Sequence, residues 1–253
     1  VNLGVSLVQQ GKKVLLIDAD AQANLTMALG YNRPDDIPIT LSTVMQNIID
    51  DKTLDVSQGI IHHSEGVDLL PSNIEMSGFE VRLINAMSRE RVLKTYVNEV
   101  KKNYDYVLID CMPSLGMITI NALAAADSVI IPTQPHYLSA KGLELLLRSV
   151  SMVKRQINPK LRIDGILMTM VMPRTNISKE ITATVKSAYG KKIKVFDTEI
   201  PHSIRAVEAT AEGKSIFAYD KSGKVAAAYE QLGKEVAEIG EKQRNQNRAD
   251  RIR

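Results

Sequence analysis

The sequence predicts an α/β protein with a doubly wound, mostly parallel sheet that carries helices on both faces. Two observations support this fold class. Short apolar runs of strand length alternate along the chain with amphipathic helical patterns. Each run is continuous rather than alternating with polar residues, which is typical of parallel strands buried on both sides.

The elements follow one another in a simple order. An apolar helical stripe comes first and ends near Gly11. The predicted strands are Val14–Ile17, Tyr106–Ile109, Ser128–Ile131, Ile163–Val171 and Lys194–Phe196. The predicted helices are Ile74–Lys102, Ile118–Ala126, Ser139–Ile157, Ser178–Tyr189 and Val225–Ile239. With no repeat and no low-complexity linker, residues 1–240 are predicted to form one domain. The polar, basic tail 241–253 has no hydrophobic stripe and is expected to be frayed or disordered.

Charge is distributed unevenly along the chain. The net charge is +3, but residues 1–150 hold 12 basic and 17 acidic side chains, whereas residues 151–253 hold 20 and 12. This uneven charge suggests an anionic partner for the second part, although solvated helix faces would give the same distribution.

A single cysteine, Cys111, excludes an internal disulfide and favours a reducing, cytoplasmic setting. No apolar run approaches the roughly 20 residues that span a bilayer.

Three aspartates stand directly after apolar strands. Asp18 and Asp20 follow the first predicted strand, and Asp110 follows the second. Ligands bind at the carboxyl ends of strands in open parallel sheets, so these acids converge if the two strands are neighbours. Such a cluster suits Mg²⁺ held partly by phosphate oxygens, or the orientation of an attacking water. The alternative is that each aspartate only caps the next helix.

Several motifs together resemble the ParA/Soj family, the partition ATPases with a deviant phosphate loop. The motifs lie in the family's order: D-A-D-A-Q-A-N at 18–24, P-S-N at 71–73, Y-D-Y-V-L-I-D-C-M-P-S-L-G at 104–116, R-T-N at 174–176 and I-P-H-S-I-R at 200–205. The sequence contains no G-x-x-x-x-G-K-[ST] motif. In the family that loop precedes a V-N-L-G helix, which Val1–Gly4 matches. The resemblance therefore implies a P-loop NTPase-like fold without its first strand and phosphate loop, and 253 residues that are inactive by themselves.

The resemblance also implies roles around a bound ATP and Mg²⁺. Asp20 corresponds to the catalytic acid that positions the hydrolytic water, while Asp18 and Asp110 correspond to acids of the magnesium shell. The segment Cys111–Gly116 corresponds to a second switch. Met172 and Pro201 correspond to residues that line the adenine, as nucleotide-binding positions. Where the family has Pro and Gly after the catalytic acid, this chain has Ala21 and Ala23, so a positive φ at Ala23 would cost energy.

The basic part of the chain also gains an implied role. Arg174 and Arg205 correspond to DNA-contacting arginines, with Lys179 and Lys186 nearby in the sequence. Contacts of this kind need charge rather than base-edge geometry, so binding to DNA should be non-specific and dependent on salt.

The leading interpretation is a partition ATPase for plasmids or chromosomes. The resemblance implies a homodimer formed with ATP that binds non-specific DNA. A ParB-like centromere-binding protein would stimulate hydrolysis and release the dimer. The expected location is cytoplasmic and associated with the nucleoid.

One alternative is a MinD-like ATPase of the membrane surface, which is disfavoured because the tail offers only Ile252 as a bulky apolar residue. The other is a non-catalytic regulator, if the natural chain lacks the phosphate loop.

Overall fold

The computed structural model describes residues 1–112, 114 and 116–252, and the side chains of these except 138–141 and 247–252. The strands are β1 (Val14–Ala19), β2 (Ile61–His62), β3 (Asp68–Leu70), β4 (Tyr106–Cys111), β5 (Ser128–Thr133) and β6 (Arg162–Met168). The helices are α1 (Asn2–Gln9), α2 (Asn24–Met27), α3 (Leu41–Ile49), α4 (Glu75–Leu83), α5 (Val92–Val100), α6 (Met117–Ala125), α7 (Tyr137–Gln156), α8 (Asn176–Tyr189), α9 (Ile204–Ala211), α10 (Ile216–Tyr219) and α11 (Lys224–Ile252).

The strands form two sheets with mostly parallel pairing. One sheet has the order β2-β3-β1-β4, in which β2 alone runs antiparallel, and the other pairs β5 with β6 in parallel. In the described residues, β4 and β5 are not hydrogen-bonded to each other. A groove of about 1260 Å³ lies between them, lined by apolar side chains of both strands such as Val107 and Val129. The two sheets therefore lie on either side of this groove.

The first sheet is covered on both faces, as a doubly wound fold requires. On β1, Leu15 and Ile17 pack into one core with α3, α4, α5 and α6. Val14 and Leu16 point the other way into a second core with α1, α9, α10 and α11. All four side chains are at most 2% exposed. Burial of each contributes about 1.5–3 kcal/mol, which explains why this strand is a continuous apolar run.

The structure confirms most predicted elements and changes two of them. The predicted helix Ile74–Lys102 is two helices, α4 and α5, separated by a segment in which Ser88 has φ 51°. The predicted strand Lys194–Phe196 pairs with β6 only through an isolated bridge between Val195 and Ile166. The prediction also missed β2 and β3, which span two and three residues and are too short to leave a hydrophobic pattern.

The expectation of a frayed tail is wrong for its described part. Helix α11 continues through Ile252. Gln243 donates to Asp164 at 2.8 Å, and Arg244 donates to the carbonyl of Asp105 at 2.7 Å while its guanidinium lies over the Tyr106 ring. Residues 241–246 are therefore held by polar contacts with β4 and β6, although this segment has no apolar stripe.

Candidate active site

The predicted convergence of acids is present at the carboxyl edge of the first sheet. Strands β1 and β4 are adjacent and in register, so Asp18 lies directly beside Asp110. Asp20 follows two residues later, and its charge acts on Asp110. Three carboxylates therefore share one edge of the sheet.

Asp18 is sealed inside the protein. It is 0% exposed, and burial raises the pKa of its carboxyl while hydrogen bonds from Thr26 oppose that shift. Its Oδ1 accepts from the backbone N–H of Asp20 at 3.1 Å. Its Oδ2 accepts from the backbone N–H of Thr26 at 2.9 Å and from the Thr26 hydroxyl at 2.7 Å. With both oxygens occupied by protein donors, Asp18 fits the role of holding the loop better than that of a metal ligand.

Asp20 occupies a different environment although it is only two residues away. Its side chain is partly exposed, and its Oδ1 accepts from the backbone N–H of Gln22 at 2.9 Å. The turn closes through the Ala23 N–H, which donates to the Asp20 carbonyl at 3.0 Å. Ala23 has φ 52°, the left-handed conformation expected where the family has glycine. The carboxylate of Asp20 is thus oriented but still accessible.

Asp110 closes the cluster at the end of β4. Its side chain reaches solvent at the sheet edge, yet the surrounding protein removes enough water to raise its pKa, and the negative charge of Asp20 adds to that effect. The neighbouring Cys111 has its pKa raised to about 12 by burial and by the same acids, so its thiol stays protonated. The remainder of the predicted second switch includes Pro113 and Leu115, which lie outside the described residues.

The acids do not form a metal site by themselves. Within the part of the chain that the structure describes, no group of three or more His, Cys, Asp or Glu side chains is arranged to hold an ion. Asp110 and Asp20 are nevertheless hard oxygen donors at an open edge, the ligand type that Mg²⁺ prefers when it keeps several waters and phosphate ligands. The donor set therefore fits a magnesium–phosphate group rather than a metal enclosed by protein.

The two predicted adenine-lining residues lie on adjacent loops. Val171 and Pro201 form an isolated parallel bridge, and the N–H of His202 donates to the Val171 carbonyl at 3.0 Å. Met172, the next residue, is 40% exposed. The structure thus brings Met172 and Pro201 together beyond the carboxyl end of β6.

The predicted DNA-contacting residues lie in the loop before α8, on α8 and on α9, and they differ in how free their charges are. Arg174 and Lys179 are exposed and form no ion pair among the described residues. Arg205, also exposed, contacts Glu208 at 3.4 Å and borders a shallow depression of about 580 Å³ at the start of α9. Lys186 pairs with Glu199 at 2.9 Å, so its charge is partly satisfied within the protein.

Sequence reasoning missed Thr26, whose buried hydroxyl connects the Asp18–Asp20 segment to another loop. The hydroxyl also accepts from the Ser72 N–H at 3.2 Å. A threonine eight residues after the first aspartate carries no pattern of its own. Its only sequence signal is a hydroxyl residue within reach of a D-x-D turn.

Fold and site together define an α/β protein with a mostly parallel sheet and acids gathered at its carboxyl edge, where ligands such as nucleotides bind in open parallel sheets. Comparison with known proteins agrees. A family described as an AAA domain matches residues 1–163. The sporulation initiation inhibitor protein Soj of Bacillus subtilis is 41% identical over 241 residues, which cover 95% of this chain and 92% of that protein.

A further relative and a solved structure are also similar to this chain. The chromosome partitioning protein ParA of Myxococcus xanthus is 36% identical over 238 residues, covering 93% of this chain and 81% of ParA. A structure of cobyrinic acid a,c-diamide synthase from Mycobacterium smegmatis with bound ADP and magnesium matches with a TM-score of 0.78 and 33% identity, covering 92% of this chain and 84% of that one. The chain belongs to the ParA/Soj family of partition ATPases, as its motifs predict.

Among the described residues, none of the helices combines the length and apolarity needed to cross a bilayer. The first part of the C-terminal segment, through Arg244, is packed against β4 and β6 rather than presenting an apolar face.

Proposed function

We propose that this protein is an ATPase of a DNA partition system, in which ATP and Mg²⁺ bind at the acidic edge and hydrolysis depends on Asp20. The observation that carries the proposal is the contrast between Asp18 and Asp20. One acid is buried and fixes the loop, and the other is held in place with its carboxylate accessible. An oriented, accessible acid beside a metal-type carboxylate is what phosphoryl transfer to water requires.

Each residue has a distinct part in the proposed reaction. The carboxylate of Asp110 would hold Mg²⁺ directly or through water, and Asp20 would orient and polarise the attacking water. The oxygen of that water bonds to the terminal phosphorus as the bond to the bridging oxygen breaks, which gives ADP and inorganic phosphate. Bound Mg²⁺ supplies neutralisation of the phosphate charge. Met172 and Pro201 flank the adenine from the adjacent loops.

DNA binding belongs to the basic surface of the second half. Arg174, Arg205 and Lys179 are exposed, so each can meet a backbone phosphate, whereas Lys186 must first leave Glu199. A homodimer formed with ATP presents two such surfaces. A ParB-like protein stimulates hydrolysis and thereby releases the dimer. The protein then acts in the cytoplasm on nucleoid DNA.

The decisive experiment replaces Asp20 in the full-length gene product. Asp20→Ala should lower ATP turnover by about 100-fold or more, because the water loses its orienting group, while DNA binding with ATP remains. The matched control is Glu230→Ala, an exposed acid paired with Lys234 on α11. Steady-state phosphate release and a DNA gel shift measure the two activities. Unchanged turnover in Asp20→Ala contradicts the assignment. DNA binding without any turnover in the unmodified protein favours the non-catalytic regulator instead.

A further inference from the structure

The hydroxyl of Thr26 joins two loops at the acidic edge. It donates to Oδ2 of Asp18 at 2.7 Å and accepts from the N–H of Ser72 at 3.2 Å. The directions are fixed, because an amide N–H can only donate and the hydroxyl has a single hydrogen to give to the carboxylate. Asp18, Thr26 and Ser72 are each 0% exposed. Water cannot replace either bond, so losing the hydroxyl leaves polar groups buried without a partner.

The carboxylate of Asp18 connects Thr26 to Asp20, the proposed catalytic acid. Its two oxygens accept from the N–H groups of Asp20 and Thr26, at opposite ends of the segment 20–26, which includes the start of α2. Between these ends the chain makes the tight turn that contains Ala23 in the left-handed conformation. A rotation of the Asp18 carboxyl would therefore move the backbone from which the Asp20 side chain projects.

Ser72 belongs to a separate segment, the P-S-N loop 71–73 that follows β3. Strands β1 and β3 are parallel neighbours with Ile17 beside Leu70, so the two loops leave the sheet side by side. Among the hydrogen bonds of the described residues, the contact between Thr26 and Ser72 is the one that links residues 20–26 to 71–73. The other end of the P-S-N loop enters α4, where Asn73 accepts from the Glu75 N–H.

We propose that Thr26 is a positioning residue that couples the P-S-N loop to Asp20 through the Asp18 carboxylate. The inference rests on the proposed hydrolytic role of Asp20. Movement of the loop 71–73 or of α4 is transmitted to the catalytic acid through these two hydrogen bonds. Thr26 itself touches neither the nucleotide nor the attacking water.

The test compares Thr26→Val, which keeps the shape and removes the hydroxyl, with Thr26→Ser, which keeps the hydroxyl. Amide hydrogen exchange of the full-length protein without nucleotide gives the first readout. In Thr26→Val, exchange at Asp20 and Ser72 should accelerate about tenfold or more, while Leu16 in the centre of β1 stays unchanged. ATP turnover gives the second readout. The kcat should fall about tenfold or more with KM within about twofold, because the acid is misplaced while ATP binding is retained. Thr26→Ser should restore both.

Thr182→Val is the matched control, since Thr182 is a buried threonine of α8 whose hydroxyl has no partner among the described residues. It should leave exchange and turnover unchanged. The proposal is overturned if Thr26→Val has normal exchange at Asp20 and Ser72, if exchange at Leu16 rises equally, or if Thr26→Ser fails to rescue. Absence of turnover in the unmodified protein would instead reject the hydrolytic role of Asp20, and the exchange data would still decide whether Thr26 couples the two loops.

Discussion

The carboxylate of Asp18 is fully buried and accepts three hydrogen bonds from protein donors, whereas the guanidinium groups of Arg174 and Arg205 stand in solvent. At the acidic edge the position of each charge matters, because an attacking water must be held in one direction. On the basic surface the number of charges matters more than their exact positions, because a DNA backbone offers phosphates at every position. Substitutions at the edge should therefore change stability or turnover, and substitutions on the surface should change affinity alone.

The largest expected effect on stability tests the difference between the two neighbouring aspartates. Asp18→Ala leaves the N–H groups of Asp20 and Thr26 and the Thr26 hydroxyl buried without an acceptor, which should lower the free energy of unfolding by about 2–4 kcal/mol. Asp20→Ala, whose side chain accepts a single bond at a partly exposed site, should change it by less than about 0.5 kcal/mol. Urea unfolding measures both. Equal losses of unfolding free energy in the two variants would contradict a structural role for Asp18 and a catalytic role for Asp20.

A smaller effect, confined to affinity, is expected on the basic surface. Replacing both Arg174 and Arg205 with Ala should weaken DNA binding with ATP about tenfold or more at physiological salt. The slope of log K against log salt concentration should also become shallower, by about 0.9 for each phosphate that the variant no longer binds. Unfolding should be nearly unchanged, because exposed ion pairs such as Arg205–Glu208 contribute little.

The control for the basic surface removes the same charge from the acidic half. Arg33 and Lys52 are exposed and paired with Asp36 and Asp50. The double variant Arg33→Ala and Lys52→Ala should leave DNA affinity unaltered in a titration followed by fluorescence anisotropy. An equal loss in both double variants would mean that net charge, rather than this surface, attracts DNA.

The smallest expected effect compares two residues in the same strained conformation. Ala23 at the acidic edge and Met170 after β6 have φ 52°, but Ala23 is 1% exposed and Met170 is 50% exposed. Met170→Gly should raise the free energy of unfolding by about 0.5–1 kcal/mol, because glycine adopts the left-handed region without the steric cost.

Ala23→Gly should give no comparable gain, since it also removes a buried methyl group that contributes about 0.8 kcal/mol. Met170→Ala is the control that keeps the left-handed strain and should be close to neutral. Thermal unfolding of the three variants measures the order. A gain at Ala23 equal to that at Met170 would show that its methyl group contributes nothing to packing.

The local sequence was sufficient to predict an element wherever burial imposes a hydrophobic pattern on it. The apolar runs that became β1 and β4 are visible in the sequence because both of their faces must be covered, and the aspartates that end them follow directly. The same reasoning failed for β2 and β3, whose few residues are specified by their partner strand rather than by periodicity. It also failed for residues 241–246, because side-chain hydrogen bonds and an arginine over Tyr106 hold a helix that has no apolar stripe.

The sequence alone determined the fold class, the family and the residue types of the acidic edge and the basic surface, because hydrophobic burial and ordered motifs are written along the chain. Only the tertiary structure decided which of two aspartates is sealed and which is accessible, and that Thr26 joins Asp18 to Ser72. The physical reason is that burial and hydrogen-bond direction depend on which strands become neighbours. The pairing of β1 with β3 and β4 brings together residues that are distant along the chain.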